Sequence, residues 1–197
     1  MSKKGQRTTS EALLFDDFIN LLSHLHKDKK YQWELYCCIS FCTACRISDV
    51  LSMTWNDILE KDELTKIERK TKKIRDITFN DSVRQRISEL YVLMGEPDKK
   101  LPVVRNRHTG KPLTKEYINR TLKTFQSYYH LPIKNFSSHT FRKTFGRFVW
   151  DSMGRTMDAL TRLCLIYAHD SPQTTMIYLG IRQEEIQSLY ETIQLEY

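Results

Sequence analysis

Apolar residues recur every three or four positions from early in the chain. In "TTSEALLFDDFINLLSHL", Leu14, Phe18, Leu21, Leu22 and Leu25 fall on one helical face, and Ser10 stands where a side-chain cap would open the helix. "YQWELYCCISFCTA" is apolar nearly all round, which predicts a buried helix ending near Arg46. "RISDVLSMTW" predicts a further short helix, followed by a polar turn at Asn56 and Asp57.

The period then changes. "ELTKIERKTKKIRDITF" offers two short strands, around Leu64 to Arg69 and Ile74 to Phe79, joined by a lysine-rich turn into a basic hairpin. Asn80 can cap the next helix, "NDSVRQRISELYVLM", with Val83, Ile87, Leu90 and Met94 on one face. "GEPDKKLPVVRNRHTGKPL" carries three prolines and two glycines and predicts loop with one short strand. Thr114 can cap "KEYINRTLKTFQSYYH", where Ile118, Leu122 and Phe125 face a core while Lys115, Arg120 and Lys123 stay in water. Helices follow in "SSHTFRKTFGRFVWDSM", "TMDALTRLCLIYAH" and the tail "QEEIQSLYETIQLEY". No repeat and no marked linker interrupts them. The expectation is one α+β domain, mostly helical with a small antiparallel sheet.

Composition narrows the class. With 197 residues, 40% hydrophobic and 11% aromatic, the chain can build one substantial core. A formal charge of +7 favours polyanions such as nucleic acid. The pattern holds no run of 18 apolar residues, and the start lacks a signal-type segment, so a cytoplasmic protein without a membrane partner is expected. Five cysteines, an odd number, argue against a disulfide framework. Cys38, Cys42 and Cys45 are spaced for one helical face, but no second Cys/His pair follows at finger spacing, so they read as core and no metal is expected.

Several residues have both an ordinary and a chemical reading. His139 and Arg142 share a helical face, as a solvated basic surface would or as a ligand site would. Arg46 ends an apolar helix; it either snorkels to water or is held by an acceptor such as Asp49, and then its planar guanidinium suits bidentate contact with a phosphate. The hairpin cations Lys66, Arg69, Lys70, Lys72, Lys73 and Arg75 either guard a sheet edge or enter a DNA groove, where a two-stranded ribbon fits. Tyr178, between Ile177 and Leu179, reads alone as a core aromatic. Together, two arginines, a lysine, two histidines and a tyrosine are an inventory for phosphoryl transfer without a metal or other cofactor: cations for the equatorial oxygens, proton-transfer groups, and a hydroxyl nucleophile.

These stretches resemble the motifs of the tyrosine recombinase, or phage integrase, family. "TACRISDVLSMTW" is similar to its first arginine motif, usually Gly, then Leu or Cys, then Arg and Ile-Ser-Glu-Leu-Leu. "SSHTFRKTF" matches His-x-x-Arg, "AHDSPQTTMIYLGI" matches the closing His, eight residues, Tyr, and "ERKTKKIRDITF" sits at the lysine hairpin and aligns Lys70 with the catalytic lysine. The resemblance runs from about Leu13 to Glu191. It implies the family's catalytic-domain fold and a site-specific recombinase that breaks and rejoins double-stranded DNA. Tyr178 would form a 3′-phosphotyrosyl link, Arg46 and Arg142 would hold the non-bridging oxygens, and Lys70 would protonate the leaving 5′-oxygen. His139 would assist proton transfer, His169 would bond the phosphate, and Asp49 would orient Arg46. Lys66, Arg69, Lys72, Lys73, Arg75 and Lys143 are the candidate DNA contacts, and Lys72 and Lys73 compete with Lys70 for its role.

Two departures are notable: Ala44-Cys45 replaces the usual Gly-Leu, and Tyr167-Ala168 stands where Leu-Gly is more common. The expected organisation is a basic tail over residues 1–10 and a catalytic domain over 11–197, with no N-terminal core-binding domain, as in a short recombinase resembling the fimbrial inversion type or in an excised catalytic domain. Residues from about 182 to 197 would form an exchange helix that docks on a neighbouring protomer, in a tetramer assembled on DNA from solution monomers. The alternatives are a non-cutting DNA-binding regulator on the same scaffold and a type IB topoisomerase-like enzyme.

Overall fold

A computed structural model describes residues 10–60, 63–67, 74–181 and 190–191. Its elements are α1 (Phe15–Lys27), α2 (Tyr31–Thr43), α3 (Ile47–Val50), α4 (Trp55–Leu59), β1 (Glu63–Ile67), β2 (Ile74–Thr78), α5 (Asp81–Leu93), α6 (Lys115–Tyr128), α7 (Ser138–Ser152), α8 (Met157–Tyr167) and α9 (Pro172–Leu179). This is the mostly helical α+β class with one antiparallel pair, β1 and β2, registered with Lys66 opposite Arg75. The chain divides into two compact units, Ser10–Phe145 and Gly146 onward, with α7 contributing its first part to one and its second part to the other.

In the unit Ser10–Phe145 the core gathers around α2, whose apolar circumference leaves Leu35, Tyr36, Cys37 and Ile39 without exposure. Phe18 of α1 stacks on Phe41 with ring centres 4.5 Å apart, and Phe141 of α7 meets Tyr36 edge-on at 5.7 Å. Two carboxylates are buried in this unit, Glu34 and Asp49. Glu34 is buried and is met by Arg86 of α5 and by His26 Nδ1 at 3.0 Å, so its charge is compensated. In the unit that starts at Gly146, Leu160, Leu163, Tyr167, Leu179 and Ile181 are buried. Gly146 sits in α7 where a Cβ would come within 2.6 Å of Leu179 Cδ2 and would also crowd the Tyr167 hydroxyl. A mid-helix glycine costs about 1 kcal/mol against alanine, and here the close approach of α8 and α9 requires it.

Some expectations need correction. Ser10 does not cap α1, which opens at Phe15 behind Leu14 without a side-chain cap, and Leu14 is exposed while Leu13 is buried. The reason is long-range: Leu13 N donates to Thr144 Oγ1 at 2.9 Å, and the Glu11 carboxylate accepts from Lys134 N at 3.0 Å, holding the preceding residues out of the helix. Asn56 and Asp57 lie in α4 rather than in a turn, because Thr54 and Asp57 form a capping box. Cys45 lies beyond the end of α2, off the helix that carries Cys38 and Cys42. Asn80 and Thr114 do cap α5 and α6, accepting from Val83 N and Tyr117 N. Residues 1–9 of the expected basic tail and residues 182–189 and 192–197 of the expected exchange helix lie outside the described residues.

Candidate active site

Within the unit Ser10–Phe145, α2 stops at Thr43 because Ala44 turns into the left-handed region, with φ 47° and ψ 27°. That conformation costs a residue with a Cβ roughly 1–2 kcal/mol, so the turn must be held by its surroundings. Thr43 Oγ1 donates to Ile39 O at 2.8 Å and accepts from Cys45 N at 3.1 Å. The Arg142 guanidinium, reaching from α7, donates to Ala44 O. Arg75 of β2 donates through Nη2 to Thr43 O at 2.8 Å, and its Nη1 lies 3.7 Å from Cys45 Sγ. Burial pushes the Cys45 thiol up, with the cations Arg75 and Arg142 opposing it.

Arg46 follows this turn directly. Its backbone takes the extended N-cap conformation of α3, and its carbonyl accepts from Asp49 N at 2.8 Å and Val50 N at 3.1 Å. Its side chain is half-buried, whereas Arg142 is only 3% exposed and Asp49 is fully buried. Arg46, Arg142 and the exposed His139 line one cleft of about 670 Å³, together with Ser48, Thr114 and Lys115. Two guanidinium groups and an imidazole in one cleft make a receptor for an oxyanion, and Thr114 and Lys115 at the start of α6 form part of its wall.

In the other unit, α8 ends on a second left-handed alanine, Ala168, with φ 52° and ψ 43°. His169 comes next: its backbone N donates to Cys164 O at 3.0 Å, and its carbonyl accepts from Cys164 Sγ at 3.3 Å. Its Nδ1 lies 3.0 Å from Oγ1 of buried Thr175, a contact that fixes the ring's orientation. Ser171 caps α9 by accepting from Thr174 N, and Pro172 supplies the first helical residue, with φ preset. Tyr178 sits near the end of α9, half-buried, its ring 5.3 Å from His169 and 5.5 Å from Tyr167, both edge-on. The eight residues between His169 and Tyr178 are thus one capped turn and most of a helix, which brings imidazole and phenol face to edge.

The phage integrase family matches this chain over residues 11–185. The chain belongs to that family. A probable integrase/recombinase, YoeC, from Bacillus subtilis (strain 168) is 34% identical over 149 residues, 76% of this chain and 77% of that one. Among solved structures, the XerH site-specific recombinase bound to palindromic difH substrate superposes with a TM-score of 0.69 at 18% identity, over 93% of this chain and 54% of its own. This phage integrase chain therefore spans about half the length of XerH. The lambda integrase catalytic core superposes with a TM-score of 0.59 at 15% identity, over 80% of this chain and 90% of its own. The fold is that of tyrosine recombinase catalytic domains.

As a phage integrase, the chain brings three of its motif residues, Arg46, His139 and Arg142, to one cleft, and two others, His169 and Tyr178, to one ring cluster. Lys70, Arg69, Lys72 and Lys73 lie outside the described residues, as does the Lys66 side chain. Lys143 is 8% exposed and its ammonium pKa is lowered by burial, so the chain does not display it as an open surface cation. The guanidinium of Arg75 turns onto the Thr43–Cys45 turn. Sequence reasoning placed Lys115 on the wet face of α6 and overlooked its place in the cleft; the Thr114 cap, which fixes where α6 begins, was the available signal. It also overlooked Thr175, inside the last motif and buried against His169.

Proposed function

We propose that this chain is a site-specific recombinase that cleaves and rejoins double-stranded DNA through Tyr178. The observation that carries the reading is the cleft shared by Arg46, His139 and Arg142, a dicationic oxyanion receptor in a member of the phage integrase family. In the proposed reaction the Tyr178 hydroxyl oxygen attacks the scissile phosphorus and loses its proton, and the bond from phosphorus to the 5′-oxygen breaks. Lys70 gives that oxygen a proton, leaving a 3′-phosphotyrosine and a free 5′-hydroxyl. Attack by a 5′-hydroxyl reverses the step and rejoins a strand without an external energy source. A phenol with an ordinary pKa of about 10 needs a base and a positive field to act near neutrality, and His139 with the two arginines supplies that chemistry. Asp49 orients Arg46, and His169, turned by Thr175, meets the phosphate.

Relatives seen on DNA support DNA as the partner. Among the described residues no helix is long and apolar enough to cross a membrane, and no cluster of His, Cys, Asp or Glu is placed to hold a metal ion. The proposal extends to a tetramer on DNA, assembled through the exchange helix from monomers in the cytoplasm. The test is covalent trapping. The DNA adjoining the gene is mapped for inverted repeats around a short core, a nicked duplex bearing that site is incubated with the chain, and the adduct is resolved on a denaturing gel. Wild-type protein forms it and Tyr178→Phe forms none; an adduct with Tyr178→Phe overturns the assignment. Salt-dependent binding without any adduct supports the regulator instead, and sequence-independent relaxation of supercoils supports the topoisomerase-like alternative.

A further inference from the structure

We propose that Arg75 is a positioning residue for strand cleavage: it acts through the Thr43–Ala44–Cys45 turn to set Arg46, and it ties that arginine to β2, the strand that follows Lys70 in sequence. The inference rests on the strand-cleavage reading above. Its ground is the convergence of two guanidinium groups on consecutive carbonyls. Arg75 takes Thr43 O at 2.8 Å, and Arg142 takes Ala44 O. These carbonyls belong to the last residue and the C-cap of α2, where helix geometry leaves oxygens without an intrahelical partner and places partial negative charge. α2 has no basic residue in its own last turn. The compensating cations come instead from 32 and 98 residues away.

The second contact of Arg75, Nη1 to Cys45 Sγ at 3.7 Å, lies on the residue next to Arg46. Arg75 therefore spans the turn from Thr43 to Cys45, and Arg46 emerges from it into the α3 cap already held by Asp49 N and Val50 N. Releasing one clamp lets a left-handed alanine relax towards ordinary backbone angles, and Arg46 moves with it. Because Arg75 belongs to β2, the strand that follows Lys70 in sequence, the same clamp makes the place of β2 and the arginine's place mutually dependent. A phosphate contact, the role its charge suggests from sequence, would direct these donors to DNA instead.

The test compares the full chain with Arg75→Ala, Arg75→Lys and Arg46→Ala on a site defined by sequencing the fragments that wild-type protein traps covalently from sheared genomic DNA. The rate of adduct formation at saturating DNA falls in Arg75→Ala by on the order of 10²-fold, the scale of an ångström-level misplacement. The half-saturating DNA concentration changes by less than about threefold, and Arg75→Lys, with one donor position where the fork has two, regains part of the rate. A scissile methylphosphonate separates positioning from damage: its neutral methyl removes the charge that Arg46 meets. On that substrate Arg75→Ala and Arg46→Ala both approach the wild-type rate. A wild-type rate for Arg75→Ala, an equal defect on both substrates, or a salt slope reduced by about one phosphate contact overturns the inference and leaves strand cleavage standing. If the wild-type chain traps no DNA at all, the cleavage reading fails, and the inference with it.

Discussion

α2 and α8 each end on a left-handed alanine, Ala44 and Ala168, and each turn delivers a residue of the candidate site, Arg46 in one unit and His169 in the other. Both alanines stand where the family's motifs usually carry glycine. The bracing differs. Around Ala44 the clamps include charged ones distant in sequence, Arg75 and Arg142, beside the local bonds of Thr43 Oγ1. Around Ala168 the described hydrogen bonds are neutral and local: Leu165 O, Cys164 O and Sγ, and Thr175 Oγ1, the last six residues from His169. The place of Arg46 is thus a property of the whole unit's tertiary structure. The described hydrogen bonds that hold His169 lie within one helix pair. A charge-assisted bond to a buried carbonyl is worth more than a neutral one and costs more when broken, so the two turns should fail differently.

Among substitutions at the two turns, the largest expected effect comes from Arg142→Ala. It removes a cleft cation and leaves Ala44 O without its donor, so stability falls by about 1–3 kcal/mol and adduct formation by at least 10²- to 10³-fold. Chemical denaturation and the trapping gel check the two parts. Next is Thr175→Val, which keeps shape and removes only the His169 contact; calorimetry should show a loss of about 1 kcal/mol and the gel a five- to tenfold slower adduct, roughly the rate equivalent of that energy. A Thr175→Val defect as large as that of Arg142→Ala would erase the distinction between the turns. The smallest effects belong to Ala44→Gly and Ala168→Gly. Each relieves roughly 1–2 kcal/mol of left-handed strain and loses about half of that to the freer unfolded chain, for a net gain of up to about 1 kcal/mol. Melting temperatures that fall in either variant would show that these turns are not strained.

Local grammar made much of this legible in advance. Asn80, Thr114 and the apolar spacing of Phe18, Leu21 and Leu25 describe their helices because caps and faces are decided within a few residues. The site motifs were legible for the same reason: His139 and Arg142 share a helical face wherever α7 lies. What escaped depended on distance. α1 starts late because residues far along the chain hold Leu13 and Glu11. Arg75 resembled its neighbouring lysines in sequence, and only folding turned it onto a carbonyl 32 residues back. The capping box at Thr54 and Asp57 is an exception: its spacing was present in the sequence, and the turn-forming character of Asn56 and Asp57 obscured it.

The left-handed alanines also describe a mutational neighbourhood. Every alanine codon is a single base change from a glycine codon, so relaxing either turn is one step for a lineage, and so is the return. Substitution at Ala44 or Ala168 alters neither Arg46, Arg142, His169 nor Tyr178. Beside its chemistry the chain therefore holds two reversible reserves of stability, each within reach of a single nucleotide.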